Sequence, residues 1–296
     1  MNTVVGIQSR KYTSSDNLAL HYLFWPADIQ TKGCCLLLHG FTNDAHIWDT
    51  LAKQLSQGYN VIAVDFRGHG DSDWCSQQNY THEQLIDDIW RLIQSQPFED
   101  WYIIGHSLGA RVATLMLQTK IFSPKVCVII DTSPETNSLA LMQIKKSAVS
   151  APSEFDSVRA FYEYRSAIYL LAKRSRLRHM ARFGLKKMGD RLVPKTDPSF
   201  AIALWEMGKS SDEHLKSSNS LSKKLWSAFA SLSAPTLLLK GQYSSMLGLK
   251  TATKLATEVI PNATLQIISD AGHSLMIDNP EEFEISILVF LDKFKH

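Results

Sequence analysis

The chain has 296 residues, enough for one large domain or for a core with an inserted subdomain. At 45% hydrophobic and 20% charged its composition is that of a globular protein, and a formal net charge of +2 gives the whole chain no nucleic-acid signature. No apolar run is long enough to cross a membrane as a helix, and Met1 to Tyr12 hold no apolar stretch ending in a small-residue cleavage site, so neither a membrane span nor a secretory leader is expected.

In chain order, Tyr12 to Trp25 alternates polar and apolar residues around Asp16-Asn17 and reads as a hairpin. Cys34 to Leu38 is a short, wholly apolar run that fits a strand buried on both faces of a parallel sheet. Asp44 to Gln54 has helical periodicity, and Asn60 to Val64 is a second buried strand. Thr81 to Ser95 is an amphipathic helix, with Thr81 as N-cap and Gln84 at the capping-box position. A strand over Trp101 to Ile104, a helix over Leu108 to Thr119 and a strand over Val126 to Ile130 follow. The pattern breaks after Pro134, and as far as Leu232 no buried strand is evident. It resumes with strands at Thr236–Leu239 and Thr264–Ile268, and with helices over Leu249–Glu258 and Pro280–Phe294, the last opened by its proline. Strands alternating with helices predict an α/β fold, a mostly parallel central sheet covered by helices on both faces. Residues 1–133 and 233–296 would form this core, and 134–232 a helical insertion. The four cysteines, Cys34, Cys35, Cys75 and Cys127, lack metal-type spacing and are expected as reduced thiols of a cytoplasmic protein.

The run Gly105-His106-Ser107-Leu108-Gly109 lies between a predicted strand and a predicted helix. A serine hydroxyl is a weak nucleophile until a base takes its proton, and a sharp strand-to-helix turn lifts it to where a base can reach it. Flanking glycines leave room for that turn, and the helix opening at Leu108 aims N–H groups at a developing oxyanion.

With His39-Gly40-Phe41, Asp65-Phe66-Arg67-Gly68-His69-Gly70-Asp71-Ser72, the Ser107 pentapeptide and Ala271-Gly272-His273 followed by Asn279-Pro280-Glu281, the chain resembles the α/β-hydrolase fold family over nearly its whole length. Each motif follows a predicted strand, at the sheet edge where sites form in open α/β sheets. The resemblance implies a helical cap for the insertion, His273 as general base, and an oxyanion hole from the N–H groups of Phe41 and Leu108. His39, His69 and His106, in glycine-rich turns at the same edge, are structural or pocket-lining. His39 and His106, together with Trp205 among the cap's aromatics, are the expected substrate-binding residues.

The acid departs from the family's pattern. Most relatives supply it after the strand placed at Thr236–Leu239, but Gly241-Gln242-Tyr243-Ser244-Ser245-Met246 has serines there. Some members carry it one core strand earlier, which here is Asp131. Glu135 and a Ser–His dyad are the alternatives. Between Lys145 and Lys195 basic residues outnumber acidic ones, most densely over Lys173–His179. A solvated helical face with no partner is the favoured reading, and recognition of an anionic substrate or of an acidic carrier protein is the functional alternative.

The expected activity is therefore serine hydrolysis of a carboxylic ester or related acyl bond in a small-molecule substrate, with no cofactor or metal and no nucleic-acid or membrane partner. Thioester, lactone or carbon–carbon hydrolysis would use the same residues. A serine nucleophile argues against epoxide or haloalkane chemistry, which in related proteins uses aspartate there. A ligand-binding protein that lost turnover is the alternative of another class.

Overall fold

The computed structural model describes residues 6–31, 33–135, 150–200 and 212–294, with side chains omitted over 212–219. Its core is an eight-stranded sheet: β1 (Gln8–Thr13), β2 (Ala19–Trp25), β3 (Gly33–Leu38), β4 (Asn60–Val64), β5 (Asp100–His106), β6 (Val126–Ile130), β9 (Thr236–Gly241) and β10 (Ala263–Ile268). The spatial order is β1-β2-β4-β3-β5-β6-β9-β10. Strand β2 pairs antiparallel with β1 and β4, and every pairing from β4 to β10 is parallel. The hairpin expected around Asp16-Asn17 is present, with Asn17 at φ 64° in its turn.

The apolar runs of the central strands are two-sided, as parallel strands under helices on both faces require. Cys35 and Leu37 face the layer made by α1 (Asp49–Leu55) and α9 (Pro280–Asp292). Cys34, Leu36 and Leu38 face α2 (His82–Gln94) and α3 (Leu108–Gln118). The adjacent cysteines thus sit on opposite faces, and all four cysteines are buried and free. Among the described residues no helix is long and apolar enough to cross a membrane.

Local chemistry sets several boundaries. The helix expected from Asp44 opens as a tight 3-10 turn over Ala45–Trp48, because Asp44 caps it by accepting the His46 N–H, and only then becomes α1. Thr81 caps α2 by accepting the Gln84 N–H. The reciprocal half of the expected capping box does not form, since the Gln84 side chain is bonded to Asn79 and Ser15 instead.

Between β6 and β9 the structure differs from a wholly helical insertion. Helices α4 (Val158–Ile168) and α5 (Arg174–Phe183) pack together, but a β-hairpin, β7 (Leu185–Met188) with β8 (Arg191–Pro194), follows them. Its strands carry no continuous apolar run, and Gly189 at φ 58° makes the turn. Helix α6 (Asp212–Ala230) lies against α3 of the core, where Leu225 and Ala228 meet Leu115. Helices α7 (Leu249–Lys254) and α8 (Leu275–Asp278) complete the described elements.

Candidate active site

The site forms where β3, β5, β6 and β10 end on one edge of the sheet. Ser107 follows β5 directly and sits at φ 50°, ψ −107°, a strained conformation for a residue with a side chain. Its N–H donates to Ile130 O (3.0 Å), and the Gly109 N–H donates to His39 O (3.1 Å). The flanking glycines are required by close approach. A Cβ on Gly105 would lie 2.8 Å from the Ala110 backbone, and one on Gly109 2.3 Å from Leu38 O.

His273, in the loop between β10 and α8, brings its Nε2 3.0 Å from Ser107 Oγ. Its Nδ1 lies 2.7 Å from Asp131 Oδ2. The carboxylate accepts only, so the Nδ1 proton points to Asp131 and the Nε2 lone pair faces the serine hydroxyl. Asp131 is 0% exposed, follows β6 at φ 46°, and accepts the Gly241 N–H at 3.2 Å. Glu135 does not share this place: it is exposed, and its carboxylate accepts from Thr251 Oγ1.

Ser244 occupies one of the two positions where the family pattern calls for an acid, and its hydroxyl donates to Asp131 Oδ2. The carboxylate has thus moved one strand over, and a hydroxyl reaches across to bond it. This supporting role was not anticipated from the sequence, where Ser244 marked only a missing charge.

Phe41 follows β3 in a loop held tightly against the elbow, since a Cβ on Gly40 would lie 3.3 Å from Ser107 Cβ and 2.5 Å from His106 Nδ1. Leu108 is the first residue of α3, so its N–H has no acceptor within the helix. His106 lies beside His273. Its Nε2–H donates to His273 O at 2.8 Å, its Nδ1 is buried without a partner, and burial with His273 beside it pushes its pKa well below that of a free imidazole. His39 is not a wall of the pocket. It is fully buried, its Nδ1–H donates to Gly40 O, and its Nε2 accepts the Phe66 N–H, so it braces two loops and has no nitrogen left for a ligand. His69 is also buried, its pKa driven down to about 3 by burial and by His39. Trp205 lies outside the described residues.

A cavity of about 980 Å³ opens above Ser107 and His273. Phe41 and His106 line it from the core; Phe155, Phe161, Tyr164 and Tyr169 line it from the insertion. Tyr162 is not on its wall and packs against the cluster of Phe155, Phe161 and Ala181. Of the basic residues between Lys145 and Lys195, Arg165 and Lys195 are on its wall among the described residues, and the dense run over Lys173–His179 is not. Within that run, Arg176 pairs with Glu284 (2.8 Å) and His179 with Asp49 (2.8 Å), fastening α5 to the core. Asp278, also on the wall, accepts the Gly272 N–H, and burial lifts its pKa to about 6. Among the described residues two clusters have metal-ligating residue types, His46–Asp49–His179 and His21–Asp65–Asp71, and each already contains a histidine–carboxylate bond.

A serine on a strained strand-to-helix turn, an imidazole bonded to it and a buried carboxylate behind the imidazole form one hydrogen-bonded line at the sheet edge of a protein of the hydrolase class. The chain belongs to the alpha/beta hydrolase fold family, whose model matches residues 36–280. It is 26% identical over 257 residues to a 2-(acetamidomethylene)succinate hydrolase of Mesorhizobium japonicum, covering 87% of each chain. It is 25% identical over 280 residues to epoxide hydrolase 4 of Homo sapiens, covering 93% of this chain and 76% of that one. A crystal structure of E-2-(acetamidomethylene)succinate hydrolase superposes with a TM-score of 0.83 at 23% identity, over 97% of this chain and all (100%) of the other.

Proposed function

We propose that this hydrolase is a serine hydrolase that cleaves a carboxylic ester or related acyl bond through an acyl-enzyme on Ser107. The observation that carries the reading is the relay Ser107 Oγ to His273 Nε2 at 3.0 Å and His273 Nδ1 to Asp131 Oδ2 at 2.7 Å. In this reading His273 takes the Ser107 proton as Oγ attacks the carbonyl carbon, and Asp131 balances the imidazolium. The N–H groups of Phe41 and Leu108 hold the tetrahedral oxyanion. Its collapse releases the alcohol, which leaves with the proton from His273. A water, deprotonated by His273, then attacks the acyl-enzyme and frees the acid and Ser107. With serine rather than aspartate as the attacking group, epoxide opening is not the chemistry favoured, although several relatives are named for it.

Thioesters, lactones and acidic carbon–carbon substrates present the same carbonyl to Ser107, and relatives at this distance are named for different bonds. A panel of aryl esters, thioesters and lactones, run with wild type and Ser107→Ala side by side, tests the reading. Turnover of at least one class by wild type, lost by about a thousandfold or more in Ser107→Ala, is expected. Equal rates for the two proteins would refute it, and so would tight binding without any turnover.

A further inference from the structure

Arg165 stands on α4 with its side chain on the wall of the Ser107 cavity, 8% exposed. Its Nε is buried without a hydrogen-bond partner, and among the described residues no carboxylate lies within ion-pair distance. Three other buried or half-buried cations are paired with carboxylates. Arg67 is held by Asp88 and Asp16, Arg176 by Glu284, and Lys195, the other cation on the cavity wall, by Asp71 at 2.6 Å. A guanidinium taken out of water without an anion is costly, so an unpaired one facing a ligand cavity calls for an anion from outside the chain.

We infer that Arg165 anchors a carboxylate carried by the substrate, so that the cavity takes acyl compounds bearing a free acid group in preference to neutral ones. The inference rests on the serine-hydrolase reading for the identity of the cavity as a substrate site. Two features favour a carboxylate over a phosphate. The guanidinium carbon lies 4.7 Å from the ring centre of Tyr169 and 5.6 Å from that of Phe161, and a guanidinium's planar fork is suited to two-point binding of a planar anion. The remaining wall carries Asp44, Asp197 and Asp278. Each accepts a bond from its own neighbours: the His46 N–H for Asp44, the Tyr80 and Ser199 hydroxyls for Asp197, and the Gly272 N–H for Asp278. Among the described residues, one guanidinium without a carboxylate partner beside three acids balances a single negative charge and disfavours a dianion.

The test compares the 4-nitrophenyl monoester of glutaric acid with its methyl-capped neutral analogue, on wild type, Arg165→Met and Arg165→Lys. The ratio of kcat/KM, acid ester over neutral ester, should fall about 10- to 100-fold in Arg165→Met, mostly through KM, because a charged hydrogen-bonded contact remote from the reacting carbonyl is lost. Arg165→Lys, which keeps charge but not the fork, should fall between, and it decides the matter if the methionine variant does not fold. Calorimetric binding of both esters to Ser107→Ala, with and without Arg165→Met, gives a readout independent of turnover, and the acid ester should bind at least about tenfold more weakly without the arginine. Failure of the serine-hydrolase reading would appear as absent turnover with this binding difference intact. A ratio unmoved by either variant, an equal loss on both esters, or binding that favours neither ester would overturn the role of Arg165.

Discussion

At the scale of single residues, the site depends on where one carboxylate sits. Asp131 holds His273 from β6, and Ser244 on the neighbouring strand end donates to the same carboxylate oxygen. Asp131→Asn should lower kcat by about a thousandfold or more, because an amide neither balances the imidazolium nor selects its tautomer. Adding Ser244→Asp to that variant returns a carboxylate within reach of His273 and should recover about tenfold or more of the lost rate, while Ser244→Asp alone should slow the enzyme by setting two carboxylates against one another. Steady-state kinetics on one aryl ester checks all three, and no recovery in the double variant would show that the neighbouring strand end cannot serve the base. Ser107 was legible in the sequence because its turn needs the close-packed glycines on either side, and His273 because the resemblance places a histidine in the turn after the Thr264–Ile268 strand. Asp131 was legible through the missing acid at Ser244 and Ser245. The bracing role of His39 and the lone charge of Arg165 were not, since satisfaction of a buried polar atom is a tertiary property and a sequence shows only residue types.

At the scale of elements, the core strands announced themselves as short apolar runs because both of their faces are covered. The hairpin β7–β8 did not, since it is half-exposed and its strands read as charged loop apart from Gly189-Asp190. Helix α5 shows how the insertion is fastened. Burial alone would raise the pKa of Asp49, but hydrogen bonds from His179 and His46 outweigh it and the pKa is lowered. Burial likewise opposes a charged His46, yet the bond and charge of Asp49, with Asp44 and Asp65 behind, raise its pKa. The sign follows from the two directions. The histidine's contribution is complete below its unfolded pKa, about 6.5, and is lost as pH rises through its higher folded value; the aspartate's is complete above its unfolded pKa, about 3.9, and is lost as pH falls through its lower folded value. The stabilisation from the His46–Asp49 pair is therefore largest between about pH 4 and pH 6.5. The Tm advantage of wild type over Asp49→Asn should be larger at pH 5.5 than at pH 8.5, and thermal unfolding at the two values checks it. An advantage independent of pH would mean that the cluster does not titrate with folding.

At the scale of the whole molecule, the parallel sheet sends the ends of β3, β5, β6 and β10 to one edge, and the loops there bring Phe41, Ser107, Asp131 and His273 together from positions spread over most of the chain. The order of motifs along the sequence foretold that convergence, because each follows an apolar run that becomes a parallel strand. What covers the edge was less legible: among the described residues the densest basic run does not reach the cavity, two of its members, Arg176 and His179, pair with the core, and of the insertion's cations Arg165 and Lys195 are on the cavity wall. The most direct test of the site is to incubate the protein with a fluorophosphonate and map the adduct by peptide mass spectrometry. A single adduct on Ser107, absent from Ser107→Ala and formed far more slowly in Asp131→Asn, is the expected result. No adduct, or one on another serine, would contradict an activated Ser107.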